Sequence, residues 1–326
     1  MTTGIITALG TASSNRWGRA TWLGLIALAL LLAAPFTGVY TEFVLHALCL
    51  ALFASAFNLL FGFGGLLSFG HVAFFGSGAY TTAYALKVWG VTPEVGIVLG
   101  MLAATALGLV FGALAIRRQG IYFAMITLAL AQLLYFLFVQ APFAGAEDGI
   151  QDVTRGRLFG LFDLDHPLAI YYVVVAICLG GLAVVQRVVQ SPFGHVLEAI
   201  RENEARAISL GYRVNSYKLG VFTLSAALAG LAGSAKVLVL QLATLADVSW
   251  HLSGEVILMT LIGGVGTLAG PVIGAFVLVG LDTSLAESGI ASGMVQGALF
   301  IACVLVLRRG IWGFFADRLE RARTRH

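Results

Sequence analysis

The chain has 326 residues, of which 59% are hydrophobic and only 11% charged, and its mean hydropathy is +0.94. Ordinary soluble domains are about 45–50% apolar and about 25% charged, so the composition excludes a water-soluble globular protein and predicts one embedded in a lipid bilayer. The formal net charge is small, +3, and its meaning depends on where the charges fall.

Residues 1–21 form an N-terminal tail whose Arg16 and Arg19 precede the first apolar run; no small-residue cleavage site marks that run for removal. Apolar runs lie near 22–36, 43–61, 69–86, 94–116, 120–140, 167–189, 218–241, 268–286 and 293–308, and a shorter one at 253–266 makes a tenth candidate. Most approach the roughly 20 residues that cross a bilayer as a helix. Backbone groups in lipid must be satisfied within the segment, and the runs lack the alternation of membrane strands. The expected fold is therefore an all-α polytopic membrane protein of about ten transmembrane helices, with the membrane domain at 22–308 and a basic C-terminal tail at 309–326.

Within the runs, Gly108 and Gly112, Gly270 and Gly274, and Ala226, Gly230 and Ser234 set small residues one helical turn apart. Such spacing lets backbones approach closely where lipid supplies no hydrophobic drive. A second glycine pattern is denser. Gly62, Gly64, Gly65 and Gly70 precede one run, and Gly263, Gly264, Gly266, Gly270 and Pro271 precede another, which predicts broken or re-entrant backbone of the kind tolerated where it is buried or lines a cavity. Ser68, His71 and Thr127 are candidate polar groups for a pathway, with a hydrogen-bonded structural role the competing reading of His71. Asp282 is the one acid deep in a clear apolar run and Lys236 the one deep base; each either snorkels or lines a polar crevice, and Asp282 is the fourth candidate for the pathway. Cys49, Cys178 and Cys303 have no metal-type spacing, so no disulfide framework, metal site or cofactor is expected.

If ten segments alternate, Lys and Arg should concentrate on the cytoplasmic loops. Arg16, Arg19, Arg117, Arg118, Arg187, Arg201, Arg206, Arg213, Lys218, Arg308, Arg309, Arg318, Arg321, Arg323 and Arg325 share one side, fifteen of the nineteen basic residues. The other side carries Glu42, Glu94, Glu147, Asp148, Asp152, Asp163, Asp165, Asp247 and Glu287, with Lys87, Arg155 and Arg157 as its cations. Both termini and the loop 190–217 are thus expected in the cytoplasm, and the loop 141–166 outside. The +3 is an orientation device beside an anionic leaflet, and no nucleic-acid partner is indicated.

The loop 190–217 contains "SPFGHVLEAIRENEARAISLGY" (191–212), in which Ser191 and Pro192 predict a helix start and Gly211 a stop. Val196, Ile200, Ala207 and Leu210 fall on one face, interrupted by Asn203, while Glu198 with Arg201 and Glu202 with Arg206 are spaced to pair on the other. One helix or two short ones satisfy the pattern. The charges fit either an interfacial helix or a docking helix, and their mixed sign favours protein contact.

No GxxxxGK[ST] phosphate loop occurs, so ATP-driven transport would need a separate nucleotide-binding subunit. Five ordered blocks, "GFGGLLSFGHVAFFGSGAYTTA" (62–83), "RRQGIYFAMITLALAQ" (117–132), "EDGI" (147–150), the stretch 191–233 and "LMTLIGGVGTLAGPVIGAF" (258–276), together resemble the membrane permease of branched-chain amino acid ABC importers, the LivM type. The resemblance runs over nearly the whole chain. It implies a non-enzymatic subunit of type II (vitamin-B12-importer-like) architecture in a bacterial inner membrane. It further implies four kinds of partner: a second membrane permease subunit, two cytoplasmic ABC ATPase subunits, a periplasmic or extracellular substrate-binding protein, and the lipid bilayer itself. Carried over residue by residue, Glu198, Ala199, Arg201, Asn203, Glu204 and Gly211 match the motif that sits in a groove of the ATPase. The chain departs from the family at 144–149, reading AGAEDG where members usually read like TGGSDG. Relatives carry branched-chain amino acids, urea or short amides. An ion-driven carrier would instead need paired intramembrane carboxylates, and an intramembrane enzyme a nucleophile–base or metal constellation.

Overall fold

The computed structural model describes residues 29, 31–36, 40–160, 162–288, 293, 295, 297, 298, 300, 301 and 310–313. The expected runs 22–36 and 293–308, the tails 1–21 and 309–326, and Cys303 lie wholly or largely outside these residues. The chain divides into a unit ending at Val44 and a unit from Leu45 onward. In the first, Ala34–Phe36 forms one 3-10 turn and the Tyr40 hydroxyl donates to Glu42 (3.0 Å).

Ten α-helices are described: α1 (Thr41–Asn58), prolonged by a π-helical turn Leu59–Phe63, α2 (Val72–Lys87), α3 (Pro93–Ala115), α4 (Ile121–Gln140), α5 (Pro167–Val189), α6 (Pro192–Glu202), α7 (Glu204–Ser209), α8 (Val214–Leu240), α9 (Trp250–Gly263) and α10 (Gly270–Ser288). Proline opens α3, α5 and α6 at the first turn, where its missing N–H costs nothing. Among the described residues five helices are long and apolar enough to cross a membrane: α1 with its π turn, α3, α4, α5 and α8. The run expected at 253–266 is the 14-residue α9. At 1.5 Å per residue it reaches about 21 Å, short of the roughly 30 Å of hydrocarbon. The run expected at 69–86 begins as helix only at Val72, because residues 64–71 are not helical.

The core of the second unit is the packing of α2, α3 and α8, and it is built on small residues. A Cβ on Gly78 would strike the Gly230 backbone, and one on Gly108 would strike Ala226. The Gly108 and Ala226–Ser234 patterns thus face one another, and Gly100 opens the space in which Thr82 Oγ1 lies 2.8 Å from Ser234 Oγ and 3.0 Å from the Gly96 carbonyl. Large apolar side chains on α3 and α4, such as Leu102, Leu109, Tyr122, Met125 and Leu133, are instead more than half exposed. An uncovered apolar face on that scale suits lipid or a membrane partner.

At one end of the unit, Gln119 reaches Glu204, so the loops after α3 and after α5 lie together. At the other, Lys87 Nζ donates to Gln151 O (2.6 Å), Ile150 bridges to Ala243, and Arg155 donates to the carbonyls of Leu238 and Val239 (2.8 Å each). Two cations on the acid-rich side are therefore occupied in binding backbone carbonyls. A two-residue antiparallel pair, β1 (Arg157–Leu158) with β2 (Phe162–Asp163), finishes that loop.

Candidate coupling and translocation sites

Two short helices, α6 and α7, occupy the loop between α5 and α8. Ser191 caps the first, its Oγ accepting from Gly194 N (3.4 Å). The second begins where Asn203 adopts an extended backbone and its Oδ1 accepts from Arg206 N (3.0 Å). Gly211, at φ 88°, ends it: Tyr212 N donates to Ala207 O (3.2 Å) and Gly211 N to Ile208 O (2.9 Å), satisfying the last carbonyls. Ile200, Ala207 and Val214 form a small core with Val196 and Tyr217 against it. Leu210, expected on the same face, is 70% exposed, because the break at Asn203 resets the helical phase.

The ion pairs expected along this stretch are replaced by others. Glu198 lies 3.9 Å from His195. Glu204 binds Lys218 Nζ (2.7 Å) through one oxygen and Gln119 Nε2 (3.0 Å) through the other, fastening α7 to the first turns of α8 and to the loop after α3. Arg201 turns toward the bundle and donates from Nη1 to the Gly62 carbonyl. Glu198, Ala199, Arg201, Asn203 and Gly211 are exposed, and Glu204 is half-buried.

Arg201 thereby meets both glycine blocks. The chain loses α-helical form at 59–71 and again at 264–269, and the two breaks touch. Asn58 joins them: its Nδ2 donates to Thr267 O (2.8 Å) and its Oδ1 accepts from Gly266 N (2.9 Å). Gly65 at φ 70° runs against the Arg201 side chain, as does Gly266 at φ 74°, a backbone that glycine adopts without strain. Gly64 approaches the Leu60 carbonyl, Gly70 the Thr127 carbonyl, and Gly263 the backbone of Gly270; Gly264 sits at φ 121° and Pro271 in the first turn of α10. Neither Asn58 nor Gln119 stands out in the sequence, since each is a single polar residue whose partner is remote.

The four residues expected on a pathway do not come together. Ser68, His71 and Thr127 are enclosed at the resumption of helix before α2, where Phe69 N donates to Thr127 Oγ1 (3.2 Å) and Gly70 N to Ser68 Oγ (3.3 Å). His71 packs among Phe53, Phe57 and Phe74, with Nε2 2.8 Å from Ser225 Oγ. The Ser225 hydroxyl donates to the Ala56 carbonyl, so Nε2 is the donor and Nδ1 an acceptor that meets no partner among the described residues. Asp282 lies elsewhere, on the wall of a cavity of about 660 Å³ between α1, α8, α9 and α10.

That cavity also receives Lys236, His46, Asp247 and Glu255. Lys236 and Asp247 form a buried ion pair, and Asp247 Oδ2 accepts from Thr244 N (3.1 Å), closing the 3-10 turn Leu245–Val248. Sequence reasoning put Asp247 in an outer loop, because nothing in 242–249 signals that the chain turns back into the bundle. Glu255 was legible only as one acid in the shortest apolar run.

Comparison with known proteins bears on this arrangement as a whole. The high-affinity branched-chain amino acid transport system permease protein LivM of Escherichia coli is 27% identical over 282 residues, 78% of this chain and 65% of the relative, so the chain spans about two-thirds of that relative's length. The probable branched-chain amino acid transport permease protein LivH of Methanocaldococcus jannaschii is 25% identical over 75% of this chain and 82% of its own. The ribose import permease protein RbsC of Escherichia coli is 28% identical over 91% and 97%. No solved structure matches at a comparable level. The family model described as branched-chain amino acid transport system, permease component, matches residues 39–304, and with most of its length so covered the chain belongs to that permease family.

Proposed function

We propose that the chain is the permease subunit of an ATP-driven importer of type II architecture, forming with a second permease a pathway for branched-chain or related small amino acids. Partner ATPases supply hydrolysis, and an external binding protein supplies substrate. About ten spans with both termini in the cytoplasm, in a bacterial inner membrane, complete the reading. The α6–α7 pair is its ATPase-facing element, with Glu198, Ala199, Arg201, Asn203, Glu204 and Gly211 at the contact. The observation that carries this is the position of Arg201 and Glu204. Exposed Ile208 and Leu210 beside them offer apolar surface to a partner, while the two charged side chains reach inward to the backbone breaks and to α8. A force on the loop therefore has a short route to the bundle, through one hydrogen bond and one ion pair. The named transport activities of LivM, LivH and RbsC support the solute-permease class, and the first two favour the amino-acid cargo.

The test is reconstitution with the cognate ATPases, second permease and binding protein in proteoliposomes. Leucine uptake should require ATP. Glu204→Ala should lower the ATPases recovered on co-purification and the leucine moved per ATP, because it strands the buried Lys218, at a cost of about 2 kcal/mol. Glu202→Ala, a solvated charge, should stay within about 0.5 kcal/mol of the parent. Indistinguishable behaviour of the two variants would defeat the docking role, and leucine uptake by the chain alone on an ion gradient would favour a secondary carrier.

A further inference from the structure

The hairpin of α9 and α10 packs chiefly on itself. Gly274 lies against the Met259 carbonyl, and the turn between the helices is stapled by Thr267, whose Oγ1 donates to the Gly264 carbonyl (2.8 Å) and accepts from Gly270 N (3.1 Å). Hairpin and turn therefore form one body. Toward α1 and α8 this body borders the cavity of about 660 Å³, so at Leu252, Glu255 and Val279 it faces open space. At the turn it is held to α1 by the Asn58 amide, which is 1% exposed and bonds only backbone, donating to Thr267 O and accepting from Gly266 N. A third hydrogen bond across this boundary, from Val72 N to Ser253 Oγ, is longer at 3.4 Å. Asn58 is thus a clasp between two bodies.

The clasp shares its ground with the α6–α7 pair. Gly62, one turn beyond Asn58, has no room for a Cβ between the Asn58 amide and Gly266 N, and its carbonyl accepts from Arg201. That turn is π-helical and packs on α5, α6 and α8; such turns recur at functional sites. Gly65 and Gly266, both at positive φ, give the two backbones freedom to swing about the contact. We propose that Asn58 is a positioning residue for transport: it clasps the α9–α10 hairpin to the end of α1 in one state of the cycle, and releases it when α6 draws Arg201 and the Gly62 carbonyl away. The inference rests on the reading of α6–α7 as the ATPase-facing element and carries it one step inward, to the part that moves.

Amide hydrogen exchange on the complete transporter in nanodiscs tests it, without nucleotide and trapped with ATP and vanadate. Peptides covering 264–270 should exchange about tenfold faster in one state than in the other, as two hydrogen bonds are lost. Asn58→Leu keeps the volume and loses both bonds, and Asn58→Ala is the second variant should the first not fold. Either should exchange fast in both states and move about tenfold less leucine per ATP, while ATPase co-purification and ATP hydrolysis stay at the parent's level, unlike Glu204→Ala. Equal exchange in the two states of the parent overturns the inference, as does normal leucine per ATP in a folded Asn58 variant. Loss of bound ATPases together with uptake would make Asn58 merely structural and overturns it too. A parent that binds its ATPases yet moves no leucine defeats the amino-acid reading alone, because exchange at 264–270 still judges the clasp.

Discussion

Ala146 shows how one side chain records a departure from the family pattern. It stands in the left-handed region at φ 51°, in the sequence AGAEDG where the resemblance leads one to expect a second glycine. Its neighbours Gly145 and Gly149 share that region at φ 77° and 69°, and a side chain on Gly149 would strike the Ala243 carbonyl. An L-residue with a Cβ is disfavoured there by about 1–2 kcal/mol. Ala146→Gly should therefore stabilise the loop 141–166 by about 1 kcal/mol, less whatever the added freedom of the unfolded chain returns. Thermal unfolding in detergent checks it; a lowered midpoint would mean the φ is not held in solution.

At the scale of elements, much of the fold was legible because hydropathy and punctuation agree. The run at 167–189 and the helix α5 coincide, and the ends of α3 and α4 lie within one residue of the expected runs. The glycine blocks announced broken backbone, yet their mutual contact through Asn58 was hidden, since a hydrogen bond between residues 58 and 266 leaves no local signature. The same limit hid the cavity: Asp282 was visible as a buried acid, whereas Asp247 and Glu255 join it only once the chain after α8 folds back. For the α6–α7 pair the sequence left one helix or two open, and Asn203 decided it by capping the second. Asn203→Ala should cost about 1 kcal/mol through loss of that cap, with Asn203→Ser nearly neutral. Hydrogen exchange of the amides at 204–209 reads the effect; equal protection in both variants would assign the break to some cause other than the cap.

Across the whole molecule, charge is sorted toward the two ends of the second unit, and the contacts agree with the sorting. Gln119 and Glu204 join the loops that carry Arg117, Arg118, Arg201 and Arg206, while at the opposite end Lys87 binds Gln151 and Arg155 binds Leu238. On intact cells an impermeant thiol reagent should label Asp152→Cys and spare Glu202→Cys, and the reverse pattern would invert the topology. Helix α8 runs between these ends. Its 27 residues extend about 40 Å at 1.5 Å per residue, and it is latched at both extremities, by Glu204 on Lys218 near the start and by Arg155 on the carbonyls of Leu238 and Val239 at the finish. An α-helix resists axial compression, because shortening it means breaking its own hydrogen-bond ladder. Any axial travel imposed on the Lys218 end is thus delivered at the Arg155 end with little attenuation, so the loops 141–166 and 190–217 share one strut and keep time with each other.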